Sequence, residues 1–303
     1  MKPKASVCSV AISIAITFAL SPANAQNRGS SNAPTYSYIT VDNPSGTRTA
    51  PFGINNKGQI VGEYTSGHVH GFLYVNGTYT TIDPPPSGAT VAFDINNSGQ
   101  IVGGAYYYDA NGITAHGFLY VNGTFTAIDD PFEDSGGTLT TGINNKGQIV
   151  GYYNSNTGDH GFIYSNGTFT KIDDPHATSN IYGTVVNGIN DKGEVVGYYT
   201  DTGTHGFLLS NGTYTTIDVP LTTSPRASTV AQGINRKGWI VGYYAGADGK
   251  SHGFLYQNGT FTTIDDPMGT NGTVANGIND NGDITGYYFD DSSDIHGFVA
   301  SLE

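Results

Sequence analysis

"GTVVNGINDKGEVVGYYTDTGTHGFLLSNGTYTTID", residues 183–218, contains the plan of this protein in a single copy. It reads as four short β-rich runs. "GTVVNGIN" ends at the turn Asp191-Lys192-Gly193, and "EVVGYY" follows. A variable stretch then leads to "HGFLLS", and Asn211-Gly212 turns the chain into "TYTTID". Asn-Gly between two β-rich runs is a strong hairpin signal, because a type I′ turn needs positive φ at both central residues. The dipeptide recurs at Asn76, Asn122, Asn166 and Asn258. Each copy precedes Thr and so also spells a glycosylation sequon, but the turn accounts for all of them.

The unit repeats. Counterparts of "GINDKGEVVGYY" begin at Gly53, Asp94, Gly142, Gly188, Gly233 and Gly277, separated by 41, 48, 46, 45 and 44 residues. The His-Gly-Phe run recurs at His70, His116, His160, His205, His252 and His296. Four strands in about 45 residues, six times over, predict an all-β, six-bladed β-propeller. The sixth unit ends at "HGFVASLE" without a fourth strand, while "TYSYITVDNP" at residues 35–44 resembles a fourth strand with nothing before it. The N-terminal strand is therefore expected to complete the last blade and close the ring, which leaves no open edge.

The start of the chain reads differently. Lys2 and Lys4 precede an apolar stretch over residues 5–20, and Ala23-Asn24-Ala25 has the small-residue pattern of a signal-peptide cleavage site. Residues 1–25 are read as a signal peptide, 26–34 as a disordered leader and 35–303 as a single propeller domain. The expected location is periplasmic or extracellular. The one cysteine, Cys8, falls in the removed segment, so no disulfide is expected. With 12 basic against 25 acidic residues, a net charge of −13, the chain lacks the basic clusters that phosphate backbones or anionic membranes attract. Nucleic acid and membrane insertion are excluded as partners, and a monomer is expected.

"GINNKGQIVG" followed by "HGFLYVNG" resembles the bacterial extracellular HAF repeat family, with His-Gly-Phe where the family name records His-Ala-Phe. The likeness covers residues 35–303. It implies an exported repeat protein and no particular reaction.

If the strands are lettered A to D outward from the axis, the short, uniform A–B and C–D turns lie on one face. The variable B–C and D–A connections, such as "YDANGITA", "FEDSGG" and "HATSNIYG", lie on the other. Binding residues concentrate in variable loops on a rigid scaffold, so the B–C/D–A face is the expected functional face. The repeated histidines are read as structural groups fixing each blade corner. The Thr four residues before each Gly-Ile-Asn position (Thr49 to Thr273) either lines the channel or reflects strand propensity. Asp83, Asp130, Asp174 and Asp266 terminate strand D rather than bind calcium. In each Tyr-Tyr pair, one ring packs between blades and the other is an aromatic platform.

Departures from the repeat are the better functional signal, because folding does not require them. The candidate binding residues are Arg48, His68, His176, Tyr182 and Arg226, with His68 placed in a B–C loop. If the protein is an enzyme, Glu63, His68, Asp94 and His176 are the catalytic candidates. Trp239 is also unmatched but lies on the other face. No metal-ligand motif, phosphate loop or nucleophile elbow is present, so no cofactor and no metal are expected. Calcium in an oxygen-rich B–C loop is the one alternative. The first reading is a non-enzymatic module binding carbohydrate or a protein partner. The alternatives are a glycan-cleaving hydrolase or lyase acting at the axial mouth, and a structural envelope or matrix component.

Overall fold

The computed structural model describes residues 34–303 except 110–111, 135, 179–182 and 221–227, with the side chains of 108–109 also outside the description. It is all β. Six four-stranded antiparallel sheets form a ring, with strands A to D of each blade in consecutive order. Blade 1 comprises Thr49–Ile54, Ile60–Ser66, His68–Val75 and Thr78–Ile82. Blade 4 comprises Thr184–Ile189, Val195–Thr200, Thr204–Ser210 and Thr213–Ile217. The last blade takes its outer strand from Tyr36–Thr40, which pairs antiparallel with Ile295–Leu302 from Tyr36↔Leu302 to Thr40↔Phe298. The expected closure is present.

The Asn-Gly turns adopt the required geometry. Asn76, Asn122, Asn166, Asn211 and Asn258 have φ between 48 and 52°, and each following glycine is also positive. A second glycine is required for a different reason. In "VVGYY", Cβ on Gly197 would lie 2.0 Å from the Val185 carbonyl and 3.0 Å from the Phe207 ring. The glycine lets strand A and the His-Gly-Phe phenylalanine approach from both sides. That phenylalanine is 0–3% exposed in all six blades. Apolar contact then runs from blade to blade. Val150 and Ile172 of blade 3 pack with Val186, Ile189 and Phe207 of blade 4, and Val196 and Ile217 continue to Ala231 and Phe254 of blade 5.

A polar belt reinforces this packing. The Asn of each Gly-Ile-Asn donates Nδ2 to the backbone carbonyl of its counterpart in the next blade. The links run Asn55→Asn96, Asn96→Asn144, Asn144→Asn190, Asn190→Asn235, Asn235→Asn279 and Asn279→Asn55, at 3.0–3.2 Å. The cycle closes on itself. The same Asn Oδ1 accepts two backbone N–H groups of its own A–B turn, as Asn190 does from Lys192 and Glu194. One buried residue thus fixes a turn and joins two blades, which explains its presence in every repeat.

Candidate functional site

The threonine row neither lines the channel nor merely serves strand propensity. Each is at most 2% exposed, and Thr49, Thr138, Thr184, Thr229 and Thr273 accept a backbone N–H from the start of their D–A connection at 2.9–3.3 Å. Three of those connections begin with Asx turns, in which Asp130, Asp174 and Asp266 accept the N–H two residues on and end strand D. Asp83 makes no such turn, and its carboxylate faces back to His70 and Gly71 of strand C.

The six repeated histidines sit in one arrangement. Nδ1 of His70, His116, His160, His205, His252 and His296 lies 2.6–3.0 Å from Asp83, Asp129, Asp173, Asp218, Asp265 and Asp42. The last pair crosses the ring closure. In five blades the second Tyr of the pair, or Tyr64 in blade 1, packs against the imidazole with ring centroids 5.1–5.3 Å apart. A second carboxylate faces Nε2 in blades 4 to 6, from Asp201, Asp248 and Asp290. The Asp265 hydrogen bond, with smaller help from Asp248 and against burial, raises His252 to about 9. These clasps tie strand C to strand D.

The first Tyr of each pair turns the other way, toward the axis. Every strand A also carries a β-bulge, and its extra residue is Phe52, Phe93, Thr141, Asn187, Gln232 or Asn276. A bulge leaves one residue unpaired and re-aims its side chain. All six line the channel as a belt. Phe52 and Phe93 meet edge to face at 5.4 Å on one arc. Of the other four, Thr141, Asn187 and Asn276 each donate to a carbonyl of the following blade.

Between this belt and the D–A connections lies an axial cavity of about 90 Å³, lined by Tyr152, Tyr198, Tyr243 and Tyr287. Burial raises the phenols of Tyr152, Tyr243 and Tyr287, which remain neutral O–H groups. Blade 2 departs from the pattern. Gly104 stands opposite Val91, where the other blades have Tyr or Glu, and Leu139 fills the space a side chain would take. Tyr106, two residues on, enters the cavity instead. Blade 1 places Glu63 in the ring, and Arg48 reaches it with Nη2 2.8 Å from Oε1. Burial pushes the Glu63 carboxyl up to about 7 against the opposing pull of Arg48. Arg48 Nε and Asn276 Oδ1 are buried without hydrogen-bond partners.

Arg48 and Glu63, two separate departures from the repeat, therefore form one unit. The other candidates do not join them. Asp94 lines the opposite end of the channel, and its oxygens accept Ile95 N–H and Ile143 N–H at 2.8 and 2.9 Å. In the other five blades that position is glycine, where Cβ would come within 2.5–2.9 Å of a neighbouring atom. His176 is an exposed D–A residue held to Asp174 at 2.9 Å. His68 is not in a loop. It opens strand C and pairs with Ser66 across a one-residue turn. "YDANGITA" is likewise mostly strand, since Ile101–Asp109 pairs with Gly112–Val121 up to Asp109↔Gly112. Tyr182 and Arg226 lie outside the described residues. Phe52, Phe93, Tyr106 and Asn276 were absent from the sequence candidates. The run of three tyrosines at Tyr106-Tyr107-Tyr108 was the available signal for Tyr106.

The fold has known counterparts. AofleA from Arthrobotrys oligospora superposes with a TM-score of 0.54 at 13% identity, covering 90% of each chain, and a mutant of it with three arginines changed to alanine gives the same values. The Aleuria aurantia lectin in complex with Fucα1-6GlcNAc gives 0.49 at 13% identity, over 84% of this chain and 94% of that one. The sequence matches no family model and no curated protein. The likeness to these structures is one of fold: a six-bladed propeller.

Proposed function

We propose that the protein is an exported, non-enzymatic binding module that takes a neutral carbohydrate end group into the axial cavity on its B–C/D–A face. The observation that carries this reading is a pair of unpartnered polar atoms, Arg48 Nε and Asn276 Oδ1, in a cavity walled by tyrosines and Phe93. Buried polar groups in folded proteins have partners. One donor and one acceptor left open fit a hydroxylated ligand that both donates and accepts. Aromatic walls with a few convergent polar groups are the usual make-up of a small-molecule site. The preference for a neutral ligand follows from Glu63, which already faces the Arg48 charge. Export with removal of residues 1–25, the monomeric state and the HAF-type repeat identity belong to the same proposal.

The test is calorimetric titration of residues 26–303 with neutral hexoses, deoxyhexoses and their oligosaccharides, with uronic acids as the comparison. Binding of neutral sugars that is lost in Tyr198→Ala supports the proposal. A preference for uronic acids, or no binding across the panel, counts against it. One observation favours a second reading, glycan cleavage: a buried carboxyl raised to about 7 is suited to general-acid work. Release of reducing ends from a polysaccharide panel, abolished by Glu63→Gln, would establish that reading.

A further inference from the structure

The His–Asp clasp is common to all six blades, yet blade 1 adds to it a second imidazole. His68 and His70 are two apart on strand C, so both side chains project from one face of the sheet. Their ring centroids are 3.9 Å apart, and Asp83 approaches His70 Nδ1 at 2.6 Å from strand D. One ligand atom from each of the three lies within 4.8 Å of the other two, and they form the one such group of three or more His, Cys, Asp or Glu among the described residues. We propose that His68, His70 and Asp83 form a binding site for a divalent transition-metal ion, separate from the axial cavity.

The other blades supply the comparison. In blades 4, 5 and 6 a carboxylate faces the histidine Nε2, and in blade 3 Thr157 Oγ1 does. Each of those imidazoles is engaged at both nitrogens. Neither His70 nor His116 in blade 2 has such a second partner among the described residues, and in blade 1 a second imidazole, His68, lies beside the ring. With Nε2 open to carry the ring proton, a neutral His70 presents Nδ1 as a lone pair beside the Asp83 carboxylate, 2.6 Å away. An ion seated there replaces the proton that the two groups share, and the exposed ring of His68 supplies the second nitrogen.

Donor chemistry selects the ion. Two imidazoles and a carboxylate suit Zn²⁺, Cu²⁺ or Ni²⁺ rather than Ca²⁺, which takes six or more oxygens. Around zinc at ~2.1 Å, tetrahedral donors stand about 3.4 Å apart. Closing from the present separations needs the exposed His68 side chain to rotate inward and the Asp83 carboxylate, now 2.6 Å from His70 Nδ1, to move back by about 0.8 Å. Three protein ligands leave the fourth position to water or to a group on a partner.

The experiment uses the untagged chain, stripped with chelator and titrated with ZnSO4 at pH 7.5 by calorimetry. Co²⁺ is added in parallel, and its visible absorption reports a tetrahedral nitrogen-containing site. One ion per chain is expected, weakened about tenfold or more by His68→Ala and by Asp83→Asn, and unaffected by His252→Ala. His68 is exposed, so His68→Ala should fold normally, which circular dichroism verifies. Absence of Zn²⁺ binding at 100-fold excess, or binding that His68→Ala leaves unchanged, overturns the proposal.

Discussion

Replacing Arg48 and Glu63 by the residue types found in other blades separates what the ring needs from what the cavity adds. Other blades carry small residues such as Ala89 and Ser228 at the Arg48 position, and blades 3 to 6 carry Tyr at the Glu63 position. In Arg48→Ala, the Glu63 carboxyl loses its partner at 2.8 Å while remaining 3% exposed. Breaking a buried ion pair on one side costs about 3–5 kcal/mol, and the partial exposure of Arg48 places this case near the lower end. The cost depends on pH. Glu63 already titrates near 7, and without Arg48 it titrates higher. At pH 5.5 it is neutral, and the deficit shrinks to that of an unsatisfied polar group, about 1–3 kcal/mol. In Arg48→Ala/Glu63→Tyr no charge remains, and blade 1 becomes like blades 3 to 6. Replacing a buried ion pair by a well-packed residue is often neutral or stabilising by about 1–4 kcal/mol. Urea unfolding at pH 5.5 and 8.5 should therefore rank the double variant at or above wild type and the single variant below it, most clearly at pH 8.5. If the double variant is as unstable as the single one, the pair is part of the scaffold and the functional argument from Arg48 and Glu63 fails.

The remaining predictions concern the scaffold. Asn190→Ala removes four hydrogen bonds, to Asn235 O, Glu194 Oε2 and the N–H groups of Lys192 and Glu194, and should cost about 2–4 kcal/mol by urea unfolding. Gly197→Ala would place Cβ 2.0 Å from the Val185 carbonyl. It is expected to destabilise more than Asn190→Ala, and a tolerated alanine there would contradict the packing described for Phe207. His252 is raised from 6.5 to about 9, so its clasp contributes fully below pH 6.5 and the contribution disappears as pH rises through about 9. His252→Gln should therefore lose more stability relative to wild type at pH 6 than at pH 10. An equal loss at both would mean that the charged form is not what holds the corner.

The ring was legible because each requirement of a blade recurs in the sequence. Asn211-Gly212 marks its hairpin, Gly197 its close approach and Asn190 its link to the next blade. Ring closure was legible because the strand missing at one end is present at the other. The site was less so. Arg48 and Glu63 could be marked as exceptions, but nothing at a separation of 15 residues says that they touch. That contact depends on which side of strand A faces the axis, and the bulge at Phe52 shifts the alternation. Asp94 stood beside Glu63 as a carboxylate exception, yet its place on the other side of the belt and its two backbone bonds follow from the same kind of bulge in blade 2. His68 was mistaken for a loop residue because Gly67 makes a turn of a single residue, which strand propensity does not anticipate.

One measurement bears most directly on the central claim that the function belongs to a single axial cavity and not to sites repeated around the ring. Calorimetric titration of the wild-type chain and of Arg48→Ala/Glu63→Tyr with a neutral sugar that binds should give a stoichiometry of one for the wild type and no binding for the double variant. A stoichiometry approaching one per blade, or affinity unchanged in the double variant, would place recognition at the blade edges and contradict the account.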